Sequence, residues 1–138
     1  MKKLLEQIAS LDYGITGDVL TDDDIVEVQE ELSACGFLSL PDDVVCFLKY
    51  YNGFLYEDRC IWGVDNKNHF IYDILAENMM VKNPTPENLL LLGSTMQTYI
   101  GWHKSSAIYS IIDKSTFIRL HNFKNFAEAV RYILKIDE

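Results

Sequence analysis

The fold is decided by the stretch Leu40-Pro41-Asp42-Asp43-Val44-Val45-Cys46-Phe47-Leu48-Lys49-Tyr50-Tyr51-Asn52-Gly53, which predicts a whole helix with its start, apolar face and end. Pro41 suits the first helical position, where a missing N–H costs no hydrogen bond. Asp42 and Asp43 follow in the first turn, beside the positive end of the helix dipole. The stripe that predicts burial has the spacing i, i+3, i+4, i+7 and consists of Val44, Phe47, Leu48 and Tyr51. Gly53 is predicted to be the left-handed residue that ends the helix.

Two more helices are predicted before this stretch and one after it. Residues 2–12 carry apolar side chains at helical spacing. Thr21 is the predicted N-cap of the second helix, and Gly36 is its predicted end. For the final helix, Asn122 is the predicted cap. The apolar face predicted for that helix consists of Phe123, Phe126, Ala127, Val130, Ile133 and Leu134.

Between the last two helices the apolar period shortens to about 2 residues, which is typical of strands. Residues Cys60–Val64 predict a strand that returns through a turn at 65–68 as His69–Tyr72. The pattern of residues 73–81 is ambiguous, and one interpretation is a short helix with Asp73 as its cap. Leu89–Leu92 predicts a strand buried on both faces. A three-stranded meander is predicted over Gln97–His103, Ala107–Ile112 and Phe117–Asn122.

This order of elements predicts an α+β fold, with helices at both ends packed on a mostly antiparallel twisted sheet. The length, 138 residues, is typical of one domain, so residues 1–138 are predicted to form a single domain. Glu6 and Gln7 interrupt a start that otherwise resembles a signal peptide. The longest apolar run, Val44–Leu48, is far too short to cross a bilayer. We therefore expect a cytoplasmic protein with no membrane contact.

Charge is distributed unevenly along the chain. The formal net charge is −9, and residues 4–48 contain eleven Asp and Glu but no Lys or Arg. From Lys49 onward, ten basic residues balance ten acidic ones. An acidic protein of this kind repels nucleic acid and anionic lipid, so the pattern favours a basic protein partner and argues against nucleic acid.

Two groups of residues are candidates for contact with such a partner. The acidic group is Asp22, Asp23, Asp24, Glu27, Glu30, Glu31, Asp42 and Asp43. The aromatic pair is Tyr99 and Trp102, because exposed Tyr and Trp side chains anchor many protein interfaces. For each group another interpretation stands beside this one, since acids in a first turn commonly cap helices and strand aromatics commonly lie in the core.

Motifs for catalysis or cofactor binding do not emerge from the sequence, and we predict no catalytic residue, no cofactor and no metal. The histidines His69, His103 and His121 have no metal-ligand spacing. Gly93-Ser94 lacks the rest of a nucleophile elbow, and no phosphate-binding loop is found. The three cysteines have no CxxC spacing and are predicted to be free buried thiols in a reducing compartment.

Four groups of residues carry a family resemblance, in a set order along the chain. They are Leu40-Pro41-Asp42-Asp43 with Phe47-Leu48 and Tyr51-Asn52-Gly53, then Ile61-Trp62-Gly63-Val64, then Leu90-Leu91-Leu92-Gly93-Ser94, then Asn122-Phe123-Lys124-Asn125-Phe126-Ala127. Together they resemble the SUKH superfamily, which unites fungal regulators of cell-wall glucan synthesis with many bacterial immunity proteins.

The resemblance implies a SUKH-like fold and a non-enzymatic protein-binding domain. It most directly implies an immunity protein that binds and neutralises a cognate toxin, often a nuclease, and it transfers no catalytic residue. It also implies an alternative, a regulatory adaptor like those of the glucan-synthesis branch. A third hypothesis from a different class, an enzyme or small-ligand receptor, requires a concave pocket with convergent polar groups and shifted pKa values. A deepest pocket that gathers His103 or His121 with an acid would favour it.

Overall fold

Helices and one antiparallel sheet make up the part of the chain that the structure, a computed structural model, describes: residues 1–64 and 71–136. The helices are α1 Lys2–Ala9, α2 Asp22–Ala34, α3 Asp42–Tyr50, α4 Ile74–Met80 and α5 Phe126–Leu134. The strands are β1 Ile15–Gly17, β2 Asn52–Tyr56, β3 Arg59–Ile61, β4 Leu89–Ser94, β5 Thr98–His103, β6 Ile108–Asp113 and β7 Arg119–Phe123. The predicted α+β class is confirmed.

The seven strands lie in the sheet in the same order as in the sequence, β1 to β7, and each pairs antiparallel with the next. The predicted meander is confirmed in β5, β6 and β7, where Thr98 pairs with Asp113 and His103 with Ile108. Helices α3, α4 and α5 contact the sheet directly, and α2 contacts α4. Strands β1 and β2 were not predicted.

The apolar face of α3 lies in the core as its spacing predicts. Val44, Phe47 and Leu48 are buried, and the Phe47 ring meets the edge of the Phe126 ring of α5 at 5.5 Å between centroids. The face of α5 is also buried from Phe126 to Leu134. Helices α3 and α5 therefore pack on each other as well as on the sheet.

The predicted ends of α3 are wrong at both positions. Pro41 is the N-cap with an extended ψ of 158°, so the helix begins one residue later. At the other end, the helix stops at Tyr50 and the chain enters β2 directly. Gly53 does have a left-handed φ of +72°, but inside β2, where a Cβ would lie 2.4 Å from Ile71 Cγ2 and 2.9 Å from the Ile61 carbonyl oxygen. Its role is close approach between segments, not a helix end.

Other helix ends give mixed results. Thr21 caps α2, and Gly36, with φ +83°, follows its last turn, as predicted. Asp73 caps α4, as predicted. For α5, Asn125 is the cap, because Asn122 pairs with Ser110 in β7. The apolar face assigned to this helix therefore wrongly included Phe123, which is also in β7.

The predicted hairpin after Cys60 is not the one observed. Residues 65–70, with the predicted turn and His69, lie outside the described residues. The described end of the predicted return strand, Ile71 and Tyr72, belongs to none of the strands. β3 pairs instead with β2 and β4, and Gly63 makes a single parallel bridge with Asp73.

Three amide side chains complete the fold where backbone segments have no strand neighbour. Asn78 of α4 accepts from Leu91 N–H at 3.0 Å and donates to the Leu91 carbonyl at 2.8 Å. Asn52 binds Val64 in the same two-way manner, with both distances 2.7 Å. Gln29 of α2 binds Leu40, just before α3. Each amide thus replaces one rung of a strand ladder, because buried backbone groups require partners.

Replacing Asn78 tests this role. Asn78→Ala leaves the N–H and carbonyl of the fully buried Leu91 unpaired on that side. We expect the free energy of unfolding in urea to fall by about 2–6 kcal/mol, from about 1–3 kcal/mol for each of the two buried groups. Asn78→Asp keeps the shape but turns an oxygen toward the carbonyls of Ile74 and Leu91, so it is expected to destabilise as well.

Met79→Ala is the matched control on the same helix, because Met79 is 62% exposed and its loss should leave the unfolding midpoint unchanged. If Asn78→Ala unfolds at the same urea concentration as Met79→Ala, the bridging role of Asn78 is wrong.

Candidate partner-binding site

A cleft of about 510 Å³ separates α2 from α4 and is lined by carboxylates. The acidic cleft is defined by Asp24, Glu27 and Glu31 of α2 together with Asp73, the cap of α4. Val28, Val64 and Ala76 line it with apolar side chains. No Lys, Arg or His is among the described residues that line it, so the cleft concentrates negative charge.

The helical repeat of α2 explains why these side chains converge. Asp24, Glu27 and Glu31 are spaced i, i+3, i+7 and therefore lie on one face of the helix. The neighbouring stripe of Ile25, Val28 and Leu32 is buried in the core and fixes the rotation of the helix. Sequence alone could place the three acids on one face, but it could not show that α4 lies opposite.

Two of the four carboxylates are held in place by backbone N–H groups. Asp24 accepts from the Thr21 N–H at 2.8 Å, as half of a capping box, and Asp73 accepts from the Ala76 N–H at 2.8 Å. Glu27 and Glu31 are exposed. The cleft therefore combines two carboxylates that backbone N–H groups hold in place with two exposed Glu side chains.

The other predicted acids lie outside this cleft. Asp22 forms an ion pair with Lys49 Nζ at 2.9 Å, and this hydrogen bond and charge lower the pKa of Asp22. Asp43 accepts from the Phe126 N–H at 3.3 Å and so contacts the start of α5. Of the eight predicted acids, those that are exposed and do not line the cleft are Asp22, Asp23, Glu30 and Asp42. Among the eight predicted acids, Asp22 alone pairs with a described basic side chain.

Tyr99 and Trp102 are half-buried on β5 rather than freely exposed. Tyr99 packs between Trp62 and Phe117, with ring centroids 6.0 and 5.8 Å away, and burial raises its pKa, with a contribution from the Glu77 charge. Trp102 packs on Tyr109 at 4.9 Å. Their predicted contact with a partner stays a prediction.

Sequence reasoning missed Asp73 as a site residue. Its position before an apolar run predicted a cap, and the cap is present. Glu77 lies four residues after Asp73, on α4, and burial raises its pKa. The charge of Lys114 lowers this pKa and the charge of Asp73 raises it. Across residues 1–64 and 71–136, no three His, Cys, Asp or Glu are grouped closely enough to hold a metal ion. The four carboxylates that line the acidic cleft can attract cationic groups.

His103 lies in a buried polar network on β5 and β6, away from this cleft. Arg119 Nη2 lies 3.1 Å from its Nδ1, and a guanidinium only donates, so Nδ1 accepts and Nε2–H donates to the Ser110 hydroxyl. Burial and the Arg119 charge lower the pKa of His103 to about 4. Neither His103 nor His121 lines the acidic cleft or a larger cleft at the end of α5.

The cysteines differ in burial from the prediction. All three are free of disulfides, but Cys35 and Cys46 are exposed and only Cys60 is buried. Both exposed thiols lie on outward faces of helices or their ends, which the count and spacing of cysteines could not predict. Burial raises the pKa of the Cys60 thiol to about 11.

No helix within the described ranges is long and apolar enough to traverse a bilayer.

Comparison with known proteins gives one family match. Residues 19–128 match the model of the family described as the SMI1 / KNR4 family (SUKH-1). This range includes every residue that lines the acidic cleft, whereas α1 and β1 precede it. Searches of curated proteins and of solved structures return no match to this chain.

The lowered pKa of His103 predicts a pH dependence of stability. Between pH 6.5 and about 4, the unfolded chain binds a proton at residue 103 that the folded chain excludes. The free energy of unfolding therefore falls as the pH is lowered through this window. In His103→Gln this contribution is absent, so the unfolding free energy measured in urea from pH 7 to pH 4 should decline less steeply than in the wild type.

His121→Gln is the control, because it makes the same substitution at an exposed position outside the buried network of His103. All three proteins contain the same carboxylates, so the difference between their curves is the readout. A His103→Gln curve parallel to that of the wild type would contradict the assignment.

Proposed function

We propose, because this chain belongs to the SMI1 / KNR4 family (SUKH-1), that it is a non-enzymatic protein-binding domain acting as an immunity protein: it binds and neutralises a cognate toxin through the acidic cleft. Bacterial members of the wider superfamily have this role, and their toxins are often nucleases. The toxin contacts the cleft with Lys and Arg side chains. The encounter takes place in the cytoplasm, where free thiols such as Cys35 and Cys46 stay reduced.

One observation carries the proposal: four carboxylates converge on one cleft that no described basic side chain lines. A nuclease must bind an anionic substrate and therefore presents a basic surface. Opposite potentials on two proteins accelerate their encounter and orient it, while contributing less to the final affinity. The excess of acidic residues over residues 4–48 extends this attraction beyond the cleft itself.

A sharp test compares two double variants with the same change in charge. Glu27→Gln with Glu31→Gln removes two charges from the cleft, whereas Asp23→Asn with Glu30→Gln removes two charges from exposed positions outside it. The probe is any toxin domain that sequencing of the neighbouring reading frames identifies, produced as a catalytically inactive protein. Association rates are measured by stopped flow at low and at physiological salt.

We expect the cleft variant to associate roughly three- to tenfold more slowly at low salt than the wild type, with a flatter salt dependence. The variant with Asp23→Asn and Glu30→Gln should show a clearly smaller decrease in association rate. Coexpression of the wild-type chain should also protect cells from the active toxin. Equal rates for the two variants would overturn the role of the cleft, and absence of both protection and binding would overturn the immunity function.

The regulatory alternative gives a different outcome in the same system. An adaptor would co-purify with several native proteins rather than one toxin domain, and it would give no protection.

A further inference from the structure

A second cleft, of about 640 Å³, lies between the last turn of α5 and the sheet. We call it the basic cleft and define it by Arg59 of β3 and by Arg131 and Lys135 at the end of α5. Asp58 is the single carboxylate side chain among the described residues that line it. In a protein of net charge −9, a cleft with three cations and one acid is a local reversal of sign.

The Arg59 guanidinium is partly withdrawn from water. Its side chain is 15% exposed, and Nη1 donates to Glu57 Oε2 at 3.1 Å. Glu57 is 63% exposed and does not line the cleft, so water screens this counter-charge. A guanidinium in such a position offers strong, directional donors to an anion that enters from the cleft.

Arg131 is held by a neutral partner. Its Nε donates to Gln7 Oε1 of α1 at 2.9 Å, which orients the side chain without neutralising its charge. Lys135, one turn later, is exposed at the left-handed end of α5. The two cations therefore supply positive charge on the α5 side, facing Arg59 on the sheet side.

The rest of the lining fits a small molecule. Ile111 and Ile133 are buried and give the cleft an apolar base, while Thr95 and Thr98 bring hydroxyl groups. Ligand sites commonly occupy about 300–1,000 Å³ and combine apolar walls with a few convergent polar groups. The volume and composition of the basic cleft lie within that description.

We propose that the basic cleft binds a small-molecule oxyanion, a phosphate ester or a polycarboxylate, whose charged group lies among Arg59, Arg131 and Lys135 and whose apolar part lies over Ile111. The site is independent of the acidic cleft and of the proposed immunity function. Overall negative charge disfavours non-specific anion binding, so affinity for an anion has to arise from this local set of cations.

Titration of the full chain with defined probes tests the proposal. The probes are inorganic pyrophosphate, AMP and citrate, with adenosine as the uncharged control, in a phosphate-free buffer of low salt. We expect the three anions to shift the amide NMR signals of Arg59, Thr98, Arg131 and Lys135, and to leave those of Glu27 and Glu31 unchanged. Adenosine should shift none of them.

Matched variants separate the site from general charge. Arg59→Gln with Lys135→Gln should weaken the affinity for the best anion, measured by calorimetry, at least about tenfold. Lys82→Gln with Lys104→Gln removes the same charge from exposed positions outside the cleft. This pair should change the affinity for the same anion less than about threefold. If the first pair fails to fold by circular dichroism, Lys135→Glu alone, at an exposed position, replaces it and should also weaken binding.

Three outcomes would overturn the proposal. They are the absence of shifts up to roughly 10 mM of every anion, equal weakening by the two double variants, and binding restricted to an acidic peptide of ten Asp and Glu residues. The last outcome would identify a macromolecular contact surface instead of a small-molecule site.

Discussion

The structure depends on the requirement that buried backbone groups have hydrogen-bond partners. Strand β3 ends at Ile61, so β4 has no strand beside Leu91 on that side, and the chain after β3 has none either. The amides of Asn78 and Asn52 fill both gaps with paired donor and acceptor bonds. By joining α4 to β4, the Asn78 contact also determines where α4 lies, and hence the position of one wall of the acidic cleft.

Two clefts of opposite sign result from this arrangement. One wall of the acidic cleft is α2, whose acids belong to the first third of the chain, and the basic cleft is built from β3 and α5. Each cleft is lined by charged side chains that hydrogen bonds within the protein already orient. Asp24 and Asp73 are held by the helix caps in which they take part, and Arg131 is held by Gln7. Charge that is positioned before a ligand arrives loses less entropy on binding.

Local sequence patterns correctly predicted features that neighbouring residues determine, such as the buried face of a helix and its cap. The buried stripe of α3 and the Thr21 cap follow from spacing and side-chain chemistry. The errors lie where tertiary contacts decide. Gly53 has the expected left-handed backbone, but it lies within a strand rather than at a helix end. There the close approach of Ile71 leaves no room for a Cβ atom. Of the sites, the acidic face of α2 was predictable, whereas Asp73 across from it was not, because no periodicity reveals which helix packs opposite another.

The sequential strand order has a consequence for synthesis on the ribosome. Each strand from β2 to β7 pairs with the strand made just before it, so the sheet can grow strand by strand as the chain emerges. The apolar face of α3, however, meets Phe126 of α5, which is made after the whole sheet. A nascent chain that lacks α5 therefore carries Phe47 uncovered on that side, a surface on which a chaperone could act until translation provides the missing helix.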